Sequence, residues 1–194
     1  MITQLIQPHQ FNVTTHPFRY STFRLETLQN YGGSGEDAEL AAFRAGQPRP
    51  ADSELDRWLE AIRDHVSAGR VLHRVHVVIE PLTDYLGWEL SWGYALNVAA
   101  GEDIRIIPVP AEETWPEDIP ERDFWLFDAS ELYDMHYDPD GIWVGVEHIT
   151  DPSRIVAACR WRDAALHHAL PWQQYVSTKP RLAQHLTEEY LPGP

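Results

Sequence analysis

The sequence contains little lysine, little cysteine and no long apolar run, and each shortage excludes a class of protein. Fourteen of its 15 basic residues are arginine and one is lysine, Lys179, against 30 acidic residues. The net charge of −15 disfavours direct binding to nucleic acid or to anionic membranes, because both need clustered basic side chains. The single cysteine, Cys159, cannot form an internal disulfide. No segment resembles a signal peptide or approaches the roughly 20 apolar residues that span a bilayer, so we expect a soluble cytoplasmic domain.

Hydrophobic patterning predicts helices and strands that alternate through the chain. Strands are expected at 20–31, 71–80, 103–109, 123–127, 132–137 and 142–149. Helices are expected at 36–45, 52–68, 82–100 and 151–169, with a short helix or tail at 173–190. The strand, helix and strand between 71 and 109 form a βαβ crossover, which requires parallel strands. The turn signal Asp138-Pro139-Asp140-Gly141 predicts a hairpin and therefore an antiparallel meander.

These elements predict an α/β (α+β) fold with a mixed sheet, a βαβ crossover, an antiparallel meander and flanking helices. We divide the chain into an N-terminal arm at 1–19, one mixed domain at 20–175 and a C-terminal helix or tail at 176–194. The 194 residues contain no internal repeat and no linker that would indicate a second domain.

Motifs of nucleophilic or nucleotide-dependent catalysis are missing. The chain has no G-x-S-x-G, no Walker loop and no G-x-G-x-x-G, and the glycines at 32–35 are read as a loop. Cys159 lies on an apolar helical stripe and is read as a core residue. The ten histidines follow no zinc-ligand spacing, although a site assembled from distant positions such as His136, His148 and Asp151 is left open. We predict no metal and no cofactor.

Carboxylates at strand ends are the best candidates for a binding site. Ligand sites in open α/β sheets lie outside the carboxyl ends of the parallel strands. Glu80 ends the predicted central strand at 71–80 and is therefore expected at such a place. The predicted ligand-binding residues are Glu80, Tyr85, Glu89, Trp92 and Asp128. The alternative, which we favour, is that Glu26, Glu80 and Glu89 form structural ion pairs with Arg24 and Arg74.

Acidic and aromatic residues suggest surfaces for partners. Fifteen acids and only Arg105 and Arg122 fall between residues 102 and 151, so nearly all of the net charge lies there. This segment is either a solvated face or a docking surface for a basic protein. Among the eight tryptophans, Trp125 is expected in the core and Trp172 at an interface.

Several segments carry a likeness to a known family. They are Phe23-Arg24-Leu25-Glu26, 74–90, 100–105 and 123–128. In them, and from about residue 18 to 175, the chain resembles an actinobacterial family of unknown function that is encoded beside helix-turn-helix regulators. The arginine bias agrees with a GC-rich genome. The resemblance implies a regulatory role beside such a regulator.

A second likeness is to the ligand-sensing domain attached to some of those regulators, which looks like a degenerate phospholipase-D-type half. Active members of that superfamily carry H-x-K-x(4)-D. The nearest string here is His76-Val77-Val78, with Asp84 eight residues after His76 and no lysine nearby. No catalytic residue is therefore carried over from the resemblance.

Three functions remain open. The first is a non-enzymatic regulatory, interaction or ligand-sensing domain that acts with a helix-turn-helix regulator and recognises a basic protein or a small molecule. The second is a small hydrolase or phosphodiesterase-like enzyme, which requires Glu80, Asp128 and a histidine to converge. The third is a structural homodimer domain.

Overall fold

The computed structural model describes residues 5–32, 37–50 and 53–183. Most of the predicted glycine loop, the first residue of the helix predicted at 52–68 and the end of the predicted tail lie outside the described residues. Within them, the chain forms a mixed sheet covered by helices on both faces, which confirms the predicted fold class.

The sheet has seven strands in the order β6-β5-β4-β1-β2-β3-β7. The strands are β1 (Ser21–Glu26), β2 (Val71–Ile79), β3 (Asp103–Val109), β4 (Phe124–Phe127), β5 (Glu131–Tyr137), β6 (Trp143–Ile149) and β7 (Leu170–Pro171). β1, β2 and β3 pair in parallel, and the other neighbours pair antiparallel, as the crossover and the meander predicted. β7 was not predicted, because two residues are too few to show a period of two.

The helices connect and cover these strands. They are α1 (Asp37–Arg44), α2 (Ser53–Ser67), α3 (Asp84–Trp88), α4 (Tyr94–Ala100), α5 (Pro152–His168), α6 (Trp172–Ser177) and α7 (Pro180–Ala183). A π-helical turn over Glu89–Gly93 joins α3 to α4, so the helix predicted at 82–100 is one irregular helical segment. None of the described helices is both long enough and apolar enough to cross a bilayer.

Alternation along β1 and β2 gives the sheet two different faces. On one face Phe23, Leu25, Val75 and Val77 pack against the apolar side of α5. The opposite face carries charged residues of both strands and is closed by α2, the α3–α4 segment and α6. Both faces are buried; the face toward α5 is apolar, whereas the opposite face combines buried charged residues with apolar ones such as Leu72 and Val78.

Two side chains differ from their predicted environments. Trp172, expected at an interface, is fully buried, and its indole Nε1 donates to the Leu90 carbonyl at 2.9 Å. Cys159, expected in the core, is only partly buried. Trp125 lies in the core as expected.

The described part of the predicted N-terminal arm packs against the sheet. Ile6 forms an antiparallel bridge with Val146 of β6, and two short 3-10 turns follow at Pro8–Gln10 and Val13–Thr15. Phe11 and Phe18 are buried beside the aromatic residues of β4 and β5. This segment therefore contributes to the core and covers part of an edge strand.

Candidate functional site

The candidate site lies at the carboxyl end of β1, where the strand order reverses. The chain moves from β1 to β2 and β3 on one side and then places β4 on the other side of β1. Such reversals leave a crevice at the strand ends that ligands use in open α/β sheets. In this protein, buried charged side chains of β1 and β2 lie next to that strand end.

A buried ionic network connects β1, β2 and the strands beside them. Arg24 donates to Asp123 at 2.6 Å, and Arg74 donates to Glu26 at 2.5 Å and to Glu102 at 3.0 Å. All five side chains are at least nine-tenths buried. Burial alone would raise the pKa of Glu26, but Arg74 and Arg24 overcome that effect and hold the pKa well below its usual range. Glu26 is therefore ionised in the folded protein.

His76 lies at the centre of this network with no exposed surface. Its Nε2 lies 2.8 Å from the Leu28 carbonyl, which can only accept, so Nε2 carries a hydrogen. Its Nδ1 lies 2.7 Å from the Tyr94 hydroxyl, whose single hydrogen is donated to the ionised Glu26 at 2.6 Å. Nδ1 is then left to donate to Tyr94, and this hydrogen-bond pattern assigns His76 as an imidazolium.

Glu89 is the carboxylate that faces this imidazolium. It lies at the start of the π turn, with Oε2 3.4 Å from His76 Nδ1 and Oε1 3.4 Å from the Tyr85 hydroxyl. Burial would lower the pKa of His76, but Glu89 and Glu26 raise it above 6.5. Burial also raises the pKa of Glu89, which His76 only partly offsets. The two groups compete for one buried proton.

The loop that follows β1, residues 27–31, covers the network at the carboxyl end of that strand. Asp123 accepts hydrogen bonds from the backbone and hydroxyl of Thr27 and from the Tyr31 hydroxyl, at 2.7 to 2.8 Å. The Tyr31 ring packs 6.0 Å from the His76 ring. The side-chain Nε2 of Gln29 donates to the Val77 carbonyl, and its Oε1 accepts from the Ile79 N–H. These two hydrogen bonds fix the loop to the end of β2.

An open groove of about 700 Å³ lies next to this loop, at the carboxyl end of β2. Its charged lining includes Glu80 and Lys179, whose carboxylate and ammonium are 2.5 Å apart, and its apolar lining includes Leu82 and Leu182. Tyr175 also donates to Glu80 at 2.8 Å. Burial would raise the pKa of Glu80, but Lys179 and Tyr175 lower it.

The structure divides the predicted ligand-binding residues among different places. Tyr85 and Glu89 belong to the buried network, Glu80 lines the groove, and Trp92 packs edge-on against Phe43. Asp128 lies at the other end of the sheet, where it accepts the backbone N–H groups of residues 19–21.

The register of the sheet shows how far apart these ends are. Asp128 accepts the N–H of Ser21, which pairs with Val71 at the start of β2. Val71 is nine residues before Glu80, so the two carboxylates are separated by roughly 30 Å. They do not converge as the hydrolase hypothesis requires. A ligand-binding role for each of the five residues stays a prediction.

The favoured ion-pair alternative describes part of the network. Glu26 pairs with both Arg24 and Arg74, whereas Glu80 pairs with Lys179 and Glu89 faces His76.

The histidines and the aspartate suggested for a distant metal site are engaged separately. His136 faces Glu147, His148 faces Glu131, and Asp151 caps α5.

The acidic segment is also less exposed than its composition suggests. Three of its fifteen acids, Glu102, Asp123 and Asp134, are buried. Asp134 pairs with Arg122 and Arg154. The exposed acids concentrate between β3 and β4, at Glu112, Glu113, Glu117, Asp118 and Glu121.

Sequence reasoning did not identify Glu26, His76 and Tyr94 as one centre. The available signal was the alternation of Arg24 and Glu26, and of Arg74 and His76, with apolar residues along two adjacent strands. Charges at every second position usually mark a solvated face.

Comparison with known proteins gives a family but no activity. Residues 9–177 match the model of DUF6879, a domain of unknown function, and the chain belongs to that family. A search of curated proteins found no match.

Proposed function

For a member of a family without an assigned activity, we propose a non-enzymatic ligand-sensing role in partnership with a helix-turn-helix regulator. The groove at the carboxyl end of β2 is the observation that carries this proposal. It lies where open α/β sheets bind ligands, and its volume of about 700 Å³ is within the range of small-molecule sites.

The chemistry of the groove favours a small amphipathic ligand. The apolar lining includes Phe43, Pro81, Leu82, Pro180 and Leu182. The charged lining consists of Glu80, Asp84, Lys179 and Arg181. A ligand with an apolar body and a charged group would bury its body against the first set and pair with the second. Exchange of the Glu80–Lys179 pair for a ligand pair would require little new desolvation, because both side chains are partly exposed.

A thermal-shift screen with a metabolite library tests the groove. The double variant Lys179→Gln/Arg181→Gln removes both cations, and Arg160→Gln removes one exposed cation from α5 as the control. We expect at least one anionic amphipathic compound to raise the Tm of the wild type and the control, but not that of the double variant. Equal stabilisation of all three proteins, or none of the wild type, would contradict the proposal.

The exposed acids between β3 and β4 support a basic protein partner. Trp115 packs on the core, and its Nε1 donates to the Ile119 carbonyl at 2.7 Å, which holds the connection in a defined shape. Fixed carboxylates speed encounter with a basic surface, and salt weakens that attraction. We propose that the regulator binds here.

Pull-down with a helix-turn-helix regulator of the kind that the resemblance implies tests this surface. Changing Glu112, Glu113 and Glu117 to glutamine should weaken binding at low salt, whereas changing the exposed α2 acids Asp56, Glu60 and Asp64 to amides should not. Both triple variants remove the same charge. Equal weakening would indicate a nonspecific charge effect, and salt-insensitive binding would contradict electrostatic docking.

The structural homodimer alternative is distinguished by sedimentation. The described exposed apolar side chains include Val144 on β6, a sheet edge, and Ile142 just before that strand. A dimer that dissociates on Val144→Lys, but not on Val156→Lys, would favour self-association through this edge over partner binding.

A further inference from the structure

We propose that Glu26, His76 and Glu89 form a binding site for one divalent first-row transition-metal ion, with Zn²⁺ as the reference ion. One donor atom from each residue lies within 4.8 Å of the others. His76 Nδ1 is 3.8 Å from Glu26 Oε2 and 3.4 Å from Glu89 Oε2. Glu26 lies on β1, His76 on β2 and Glu89 on the π turn, and all three side chains are buried.

The spacing of the donors suits a small ion. Tetrahedral ligands about 2.0–2.1 Å from Zn²⁺ are separated from each other by roughly 3.3 Å, close to the 3.4 Å between His76 Nδ1 and Glu89 and somewhat less than the 3.8 Å between His76 Nδ1 and Glu26. Calcium requires six to eight oxygen ligands, and magnesium usually keeps several waters, neither of which fits three buried donors at this spacing. One imidazole with two carboxylates is a donor set that zinc, manganese, cobalt and iron accept.

The charge of the network favours a dication. Four buried carboxyl groups, Glu26, Glu89, Glu102 and Asp123, face only two guanidiniums, Arg24 and Arg74. With all four ionised and His76 neutral, two negative charges are left without compensation, and burial lowers this cost by raising the pKa of Glu89 and of Glu102. One proton on His76 leaves one of them, whereas a divalent ion that replaces this proton leaves none.

Two further features are typical of a metal centre. The Glu89 side chain is nine-tenths buried, and its Oε2 has no hydrogen-bond partner and lies 3.4 Å from His76 Nδ1. The Nε2–H of His76 donates to the Leu28 carbonyl, which fixes the ring and leaves Nδ1 as the ligating nitrogen. A π turn also supplies Glu89, and such turns occur frequently at functional sites.

Tyr94 completes or limits the coordination. Its hydroxyl is 2.7 Å from His76 Nδ1 and 2.6 Å from Glu26 Oε2. As a fourth ligand it would have to move outward by roughly 0.6 Å to reach tetrahedral spacing. Binding then releases the Nδ1 proton to solvent while the metal takes its place, so one proton leaves for each ion bound.

The test is calorimetric titration of Zn²⁺ into the full chain after removal of metals by a chelator. The wild type should bind one equivalent, and titrations in two buffers of different ionisation enthalpy should show release of about one proton. Co²⁺ should give the visible absorption of a low-coordinate site. Glu89→Gln keeps the shape of the side chain and should weaken binding at least about tenfold.

Two controls separate this site from surface binding by the other histidines. Glu60→Gln removes an exposed carboxylate of the same type from α2, and His167→Gln removes an exposed histidine from α5; both should bind as the wild type does. Circular dichroism of each variant confirms that it is folded. Zn²⁺ binding that is unchanged in Glu89→Gln, absent from the wild type, or accompanied by no proton release would overturn the proposal.

Discussion

Replacing His76 with glutamine should destabilise the metal-free protein by an amount that falls as the pH rises. The glutamine amide can still donate to the Leu28 carbonyl, but it carries no charge to face Glu26 from β1 and Glu89 from the π turn. Tyr94 from α4 and Tyr31 from the loop after β1 contact the ring and remain neutral, because burial raises the pKa of both phenols. Removing one member of a buried ion pair costs about 3–5 kcal/mol.

The sign of the pH dependence follows from the raised pKa of His76. A group whose pKa is raised on folding contributes stability that is complete below the pKa of the unfolded chain, near 6.5. That contribution disappears as the pH rises through the pKa of the folded protein. Each unit of pH within this window removes at most about 1.4 kcal/mol.

Urea unfolding with a chelator present, between about pH 5.5 and 8.5, measures the difference between wild type and variant. The difference should be largest at the acid end and shrink above the unfolded pKa, whereas His167→Gln, at an exposed position, should show no such trend. NMR of the imidazole nitrogens should show His76 doubly protonated at neutral pH. A difference that is constant with pH, or a neutral ring, would refute the proton assignment.

Further predictions concern packing and backbone geometry. Trp172→Phe removes the donor to the Leu90 carbonyl and should lower the free energy of unfolding, measured in urea, by about 1–3 kcal/mol. Sedimentation should not change; a change would indicate that Trp172 lies at an interface between subunits. Ala129→Gly should raise the Tm, because Ala129 has a φ of 55° and the left-handed conformation costs a non-glycine residue about 1–2 kcal/mol. Asp128→Ala should lower the free energy of unfolding by about 1–2 kcal/mol, since its carboxylate accepts three backbone N–H groups; an unchanged urea midpoint would show that water replaces them.

The sequence was sufficient for the frame of the fold because its strongest patterns are local. Val75 and Val77 alternate with polar residues, Pro152 follows the capping Asp151, and Gly101 occupies a left-handed position at the end of α4. These features set the elements and their order. The buried environment of the charged face depends instead on what covers it. Arg74 packs against Tyr94 of α4, and Arg24 packs against Trp125 and bonds Tyr137, and no spacing in β1 or β2 specifies these neighbours.

The same limit explains which site residues could be predicted. Glu80 was found because its position at a strand end is a property of the sequence. Glu89 was assigned to a helix facing a pocket, but its orientation toward His76 depends on the π turn, which shifts the hydrogen-bond register by one residue. Asp128 follows β4, whose direction is antiparallel to β1, so its strand end lies at the opposite edge from Glu80. Strand direction, not composition, separates the two carboxylates.

The buried cluster and the open groove share one structural connection. Gln29 bonds the end of β2, and its carbonyl accepts the hydroxyl of Thr83, which both caps α3 and lines the groove. Leu28, next to it, accepts from His76. A change of charge at His76 therefore acts on the same short loop that a ligand in the proposed groove would reach through Thr83. If either event alters the position of this loop, thermodynamic linkage requires that the groove ligand and the proton or metal at His76 change each other's affinity by the same factor.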